Sequence, residues 1–463
     1  MLKDHSSVIH PSIFRAYDIR GIVGQTLTEE NVYLLGKAFG SFVREHGEKR
    51  VAVARDGRLS GPDLFESLCK GIMTTGCDVM ALGMVPTPLL YYSTFVLEET
   101  AGVMLTGSHN PPEYNGLKLM MRGQTLAEER IMDLYHRINE TRFVRGDGER
   151  REIEIVERYI THICRDIHLQ RPLKVVVDAG NGVASVAAVE LYRRLGCEVD
   201  ELYCEVDGRF PHHHPDPSYI DNLQDLIKRV RATQADVGIA FDGDGDRLGI
   251  VTPRGELICP DRQLMLFAKS VLSEHPGGKI IYDVKCTRHL DKFIRDSGGE
   301  PIMWKTGHSL IKAKLAETRA LLAGEMSGHL FFKDRWYGFD DAIYAGARFL
   351  EILAKTDSNA DGIFEAIPNS INTPELKVLV SEDEKFTLMQ KLIKQANFMD
   401  AGINTLDGIR IDFPQGWGLV RPSNTTPYLI CRFEADDQTI LTKIQNLFRD
   451  WMLSVEPGLV LPF

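Results

Sequence analysis

Three short apolar runs, each leading through a polar turn into a helix-like stretch, organise the first three quarters of the chain. They are Arg50-Val-Ala-Val-Ala-Arg-Asp-Gly-Arg58 ahead of Gly61 to Gly71, Lys174-Val-Val-Val-Asp-Ala-Gly-Asn-Gly182 ahead of Ala184 to Leu195, and Lys279-Ile-Ile-Tyr-Asp-Val-Lys285 ahead of Arg288 to Arg295. Short apolar runs alternating with helical patterns predict α/β units containing parallel strands. Each unit also holds a second apolar run that ends in a loop of unusual residues: Ala101 to Asn110, Ala235 to Asp246 and Ala320 to His329. Ligands of α/β sheets bind beyond the carboxyl ends of strands, so three repeated domains would offer these loops to one cleft. A chance regularity of α/β sequence is the competing reading.

After Ile367 the pattern changes. Strands are expected from Pro374 to Val380, Ile409 to Phe413 and Tyr428 to Glu434, with helices from Asp383 to Asn397 and Asp437 to Met452. This order predicts a smaller α+β domain after three similar α/β domains, with boundaries at 1–154, 155–256, 257–368 and 369–463. A length of 463 residues allows about three domains, or four if one is small.

The charge balance narrows the functions. With 54 Lys and Arg against 65 Asp and Glu, the formal net charge is −11, a poor match to general nucleic-acid binding. An anionic ligand would need positive groups gathered in one place. The eight cysteines form no CxxC pair, which argues against a zinc ribbon or a thioredoxin-like site. No stretch is long and apolar enough to span a bilayer, and the polar segment Met1 to Pro11 lacks a secretory core. A cytoplasmic location is expected.

Asp242-Gly-Asp-Gly-Asp-Arg247 is the sharpest chemical signal. Glycines between three carboxylates let the backbone fold tightly around one cation, and hard oxygen ligands suit magnesium or calcium better than zinc. An EF-hand is excluded by register, because its sixth and twelfth positions are here Arg247 and Pro253. A solvated acidic turn is the bland alternative, but the loop sits between the apolar runs Val237 to Phe241 and Leu248 to Val251.

Thr106-Gly-Ser-His-Asn-Pro111 sets a hydroxyl, Ser108, on a strand-end loop. Thr106 breaks the G-x-S-x-G elbow of a serine hydrolase, and His109 beside Ser108 in sequence is weak evidence for a base. Taken alone, the motif reads as an ordinary turn. Asn115-Gly-Leu-Lys-Leu119 brings Lys118 to the same region. Gly324-Glu-Met-Ser-Gly-His329 offers Glu325 and Ser327 for vicinal hydroxyls, or a capped turn. Arg421-Pro-Ser-Asn-Thr-Thr426 suits a phosphate dianion, or a helix N-cap. Arg20, Lys118, Arg247, Lys285, His308, His329 and Arg421 are expected at loop positions, the concentrated positive charge an acidic protein needs for an anionic substrate.

In order and rough spacing, TGSHNP, NGLK, DGDGDR, GEMSGH and RPSNTT resemble the α-D-phosphohexomutase family over essentially the whole chain, and more narrowly its bacterial phosphomannomutase/phosphoglucomutase branch. The resemblance implies four domains around a central cleft and a phosphoserine at Ser108. It implies Asp242, Asp244 and Asp246 as ligands of Mg2+, together with an oxygen of the seryl phosphate. Arg20, Lys118, Arg247, His308 and His329 would act at the reacting end, with Tyr17 and Lys285 holding substrate there. Glu325 and Ser327 would hold sugar hydroxyls. Arg421, Ser423, Asn424 and Thr425 would hold the unreactive phosphate. The implied reaction is reversible transfer between the 1- and 6-positions of glucose and mannose phosphates, primed by a hexose 1,6-bisphosphate. Small hexose phosphates are the implied partners, without nucleic acid or membrane, and a monomer is the expected state. A magnesium-dependent sugar phosphatase and a non-catalytic sugar-phosphate-binding regulator are the competing functions.

Overall fold

The computed structural model describes residues 9–97, 101–381, 384–423 and 426–463. Their contacts divide the chain into two compact units, Met1–Pro260 with Ser327–Glu365, and Asp261–Met326 with Ala366–Phe463.

The first unit holds two α/β sheets. In one, the strands Arg50–Arg55, Asp78–Met84 and Ala101–Leu105 run parallel, as the alternation of short apolar runs and helices predicts. Two further strands extend it antiparallel: Tyr114–Met121 pairs with Ala101–Leu105, and Ile19–Ile22 pairs with Tyr114–Met121. In the other, Lys174–Asp178 lies between Val237–Phe241 and Glu198–Leu202, all parallel, and Leu248–Val251 returns antiparallel beside Val237–Phe241. Every residue of Ala101–Leu105 and Val237–Phe241 is buried, which is why these strands read as unbroken apolar runs without alternation. The helices Gly61–Met73 and Ser185–Arg194 follow the strands Arg50–Arg55 and Lys174–Asp178.

In the second unit, Lys279–Asp283 pairs in parallel with Glu300–Trp304 and Leu322–Gly324. A separate antiparallel sheet has Tyr428–Ala435 and Gly416–Pro422 at its centre, with Ile409–Phe413 and Gly402–Asn404 beyond. The helices Lys385–Gln395 and Gln438–Val455 cover an apolar core that includes Leu392, Phe433 and Phe448. Asp383, the expected start of the first of these helices, lies outside the described residues. Asp437 caps the second through the Ile440 N–H.

Three local expectations are corrected. His308 does not sit on a loop but opens the helix His308–Thr318, with Gly307 before it at φ +135°. Arg20 and Lys118 lie on neighbouring strands, Arg20 facing Gly116 in the ladder. Arg421 also lies in a strand, Gly416–Pro422, all of it buried and absent from the sequence reading. Pro422, which has no N–H to give to a ladder, is the last residue of the strand.

The eight cysteines are free thiols. No helix among the described residues is long and apolar enough to cross a membrane.

Candidate functional site

In the first unit, two strand-end loops meet. The loop after Ala101–Leu105 carries Ser108, and the loop after Val237–Phe241 carries Asp242, Asp244 and Asp246. Ser108 Oγ lies 3.0 Å from Asp242 Oδ2 and 3.1 Å from His109 Nδ1. Burial, with Arg247 and Arg20 nearby, pushes the His109 pKa well down, which favours the neutral imidazole, while the Ser108 hydroxyl donates to Asp242 Oδ2. Sequence adjacency alone had given no reason to expect the contact between Ser108 and His109.

The aspartate loop is held from within. Asp242 Oδ1 accepts the backbone N–H groups of Gly245, Asp246 and Arg247 at 3.1, 3.0 and 3.1 Å. Gly245 has φ +79°, a conformation glycine adopts without a Cβ penalty. The loop is thereby folded so that all three carboxylates come together, each offering one oxygen within 4.8 Å of the others, and all three side chains are buried. Asp244 Oδ1 is buried with no hydrogen-bond partner among the described residues. Three buried oxygen anions with an unsatisfied oxygen fit a hard divalent cation.

Lys118 supplies internal compensation. Its Nζ donates to Asp244 Oδ2 at 2.6 Å and Asp246 Oδ2 at 2.5 Å. Burial would lower the Lys118 pKa, but the two carboxylates outweigh it and hold it well above the usual value. Burial would likewise raise Asp246, yet Lys118, His329 and Arg247 hold it well below the usual carboxylate range. Asp242 goes the other way: burial first, then repulsion from Asp246 and Asp244, pushes it well up. The carboxylates are thus divided by their neighbours, one strongly stabilised as an anion and one strongly penalised until another positive charge arrives.

Other expected residues border this centre. His329 Nε2 is 3.3 Å from Asp246 Oδ1, while its Nδ1 is 2.7 Å from Ser327 Oγ. Arg247 lies 4.0 Å from both Asp242 and Asp216. Arg20 donates to Asn110 Oδ1 at 3.1 Å and Asp18 Oδ2 at 2.5 Å. Tyr17 is half-buried just before the strand Ile19–Ile22. Sequence reasoning missed Thr87, whose hydroxyl donates to Asp244 Oδ2 at 2.6 Å and whose N–H donates to Asp244 O at 2.9 Å. It also missed Asn110, Asp18 and Asp216. None carries a local signature, because each matters only through a partner remote from it or through folded geometry.

The second unit holds the remaining described residues, and hydrogen bonds link Asp283, Thr306, Asp407 and Arg421. Lys285 Nζ donates to Glu375 Oε1 at 2.6 Å and lies 3.8 Å from Asp283 Oδ2. Burial would lower the Lys285 pKa, but Glu375 and Asp283 raise it to about 12. Asp283 Oδ2 accepts the Thr306 hydroxyl, and the Thr306 N–H donates to Asp407 Oδ2, each at 3.0 Å. Asp407 Oδ2 also accepts from Arg421 Nε at 3.0 Å. The Gly307 N–H donates to Glu325 Oε1 at 2.5 Å, next to His308. Ser423 Oγ accepts the Thr426 N–H at 3.1 Å. Asn424 and Thr425 lie outside the described residues.

The sequence matches four family descriptions in order. These are phosphoglucomutase/phosphomannomutase alpha/beta/alpha domain I at residues 11–145, domain II at 157–255, domain III at 259–370, and the C-terminal domain at 375–450. A phosphomannomutase/phosphoglucomutase of Pseudomonas aeruginosa is 56% identical over 452 residues, 98% of either chain. A phosphoglucomutase of Neisseria gonorrhoeae is 51% identical over 97% of this chain and 98% of its own. The crystal structure of a phosphoglucomutase/phosphomannomutase family protein from Burkholderia thailandensis has a TM-score of 0.95 at 51% identity, covering 98% of this chain and all of that one. With its domain order, its sequence over nearly full length and its fold in agreement, the chain belongs to the phosphoglucomutase/phosphomannomutase family.

Proposed function

We propose that Ser108 carries a transferable phosphoryl group and that the chain moves phosphate reversibly between the 1- and 6-positions of glucose and mannose phosphates. The observation that carries this reading is the aim of Ser108 Oγ at the buried carboxylate centre, 3.0 Å from Asp242. A serine in a hydrolytic site needs a base. A serine that stores phosphate needs positive charge, and this site is built to gather it.

The ion we assign to Asp242, Asp244 and Asp246 is Mg2+, which when bound would neutralise charge on a seryl phosphate. Lys118, Arg20 and Arg247 are cations suited to opposing phosphoryl charge in the transition state. Lys118, His308 and His329 are the proposed general acids and bases at the substrate hydroxyl and the leaving oxygen. Tyr17 and Lys285 would contact substrate, Glu325 and Ser327 would hold sugar hydroxyls, and Arg421 and Ser423 would hold the unreactive phosphate. A hexose 1,6-bisphosphate arises when Ser108 gives its phosphoryl group to the substrate's free hydroxyl. Return of the other phosphate to Ser108 completes the cycle, so a trace of bisphosphate primes an unphosphorylated enzyme. A complex with glucose 1,6-bisphosphate is named for an Aspergillus fumigatus mutase of the same fold. The four-domain division at 154, 256 and 368, a monomeric state and a cytoplasmic location belong to the same proposal.

The test is intact mass and turnover of wild type and Ser108→Ala on glucose 1-phosphate with a trace of glucose 1,6-bisphosphate. Wild type should gain the mass of one phosphate and isomerise, and the variant should do neither. Inorganic phosphate without isomerisation would make the chain a phosphatase. A wild type that isomerises without ever gaining the mass removes Ser108 from the centre.

A further inference from the structure

Ser108 has φ +49°, a left-handed conformation that a serine keeps only when its surroundings hold it there. The holding group is Arg58, whose side chain is fully buried. Its Nη2 donates to the carbonyl oxygens of Ser108 at 2.8 Å and Asn110 at 2.6 Å. Its Nη1 donates to those of Pro111 at 2.6 Å and Tyr114 at 2.9 Å. Its Nε donates to Asp56 Oδ2 at 3.1 Å. All five N–H groups of one guanidinium are therefore engaged, four of them on carbonyls of the serine loop.

Asp56 closes the arrangement from the end of the neighbouring strand. Its Oδ2 also accepts the Thr106 hydroxyl at 2.8 Å and the Gly107 N–H at 3.2 Å, and Thr106 Oγ1 accepts the Ser108 N–H at 2.8 Å. A Cβ on Gly107 would come within 2.4 Å of the guanidinium carbon. The loop thus lies directly on the cation.

A second segment also packs on Arg58. The Phe210 ring lies 5.2 Å from its guanidinium carbon, and a Cβ on Gly208 would meet Arg58 Cα at 2.6 Å. The same segment continues to Pro215, which packs against Gly243 of the aspartate loop, and to Asp216, 4.0 Å from Arg247. One stretch, residues 206–216, borders both the guanidinium under the serine loop and the loop that holds the three aspartates.

We propose that Arg58 is a positioning residue for phosphoryl transfer. As a buried cation it draws four loop carbonyls inward and so turns Ser108 Oγ out toward Asp242, while segment 206–216 keeps this loop and the aspartate loop in register. The hydrogen bonds of Arg58 go to Asp56 and the serine loop and not to the triad, so it acts through Ser108 and the proposal rests on the reading of Ser108 given above.

The experiment compares kcat and KM for glucose 1-phosphate, and the mass gained on priming, in wild type, Arg58→Met, Arg58→Lys and Ser108→Ala. Methionine keeps much of the bulk but no donor. Lysine keeps the charge but donates from a single point and cannot span four carbonyls. Arg58→Met is expected to lose about 100-fold in kcat with KM within about threefold, the signature of a displaced reacting group. Arg58→Lys is expected to recover part of that loss. If Arg58→Met does not unfold cooperatively, Arg58→Lys decides: a lowered kcat at constant KM supports the proposal, and an unchanged kcat overturns it. A folded Arg58→Met with wild-type kcat overturns it too. Retained activity in Ser108→Ala overturns the functional reading instead, which keeps the two failures apart.

Discussion

Lys118 Nζ lies 2.5 Å from Asp246 Oδ2, and both side chains are buried. The lysine sits on the strand Tyr114–Met121 and the aspartate on a loop 128 residues later. This ion pair ties the serine-bearing sheet to the aspartate loop. It also leaves the three carboxylates with one direct lysine partner among the described residues.

Replacing Lys118 with methionine should therefore have two opposite effects. Turnover should fall by about 100-fold, because the cation proposed to oppose phosphoryl charge is lost. Magnesium should bind several-fold more tightly, because the carboxylates lose their internal counter-charge. Isothermal titration of the dephosphorylated variant measures the second effect, and weaker binding would contradict it.

Metal addition should stabilise the protein measurably. Asp242 is held well above the usual carboxylate range by burial and its acidic neighbours, so a divalent cation relieves a repulsion built into the fold. At about 100 times its Kd, a bound ion adds about 2.7 kcal/mol to the stability of the site-bearing unit. Thermal melts with chelator and with magnesium should differ for wild type and coincide for Asp244→Ala.

Gly243 is closed to any side chain. A Cβ there would lie 2.4 Å from the Ser108 carbonyl oxygen, a backbone atom that Arg58 already holds. Gly243→Ala should separate the serine and aspartate loops and lower kcat by about 100-fold, with a cooperative melt retained. Wild-type kcat in this variant would show that the two loops need not stay in contact.

His213 provides a stability change near neutral pH. Its Nε2 lies 3.1 Å from both oxygens of Asp178. Burial would lower its pKa from 6.5, but the Asp178 contact outweighs this and raises it. The folded state then holds a proton more tightly than the unfolded state does. The resulting stability is fully present below pH 6.5 and is lost as pH rises through the folded pKa. Relative to His213→Gln, the melting temperature of wild type should fall as pH increases above 6.5, as scanning calorimetry in matched buffers would record.

Elements with a strong local signal were legible in the sequence. The strand Ile409–Phe413 occupies its expected residues, and Lys174–Asp178 and Lys279–Asp283 fall inside their expected runs. The strand Gly416–Pro422 was not legible, since two glycines, a tryptophan and a terminal proline give no period and its burial comes from tertiary packing. The helix at His308 was hidden because no side chain caps it; a short polar stretch after glycine reads equally well as a loop.

The sequence by itself determined the aspartate centre, because its three carboxylates lie within five residues and their glycine spacing folds them onto one another. It also determined the order of the α/β units, through apolar runs that only buried strands require. The contacts that surround the carboxylates were decided by tertiary structure. Ser108, Lys118 and Thr87 reach Asp242, Asp244 and Asp246 across 126 to 157 residues, and Arg58 grips the Ser108 and Asn110 carbonyls from 50 and 52 residues away. Such contacts depend on strand register and loop approach, and neither is encoded in the spacing of neighbouring residues.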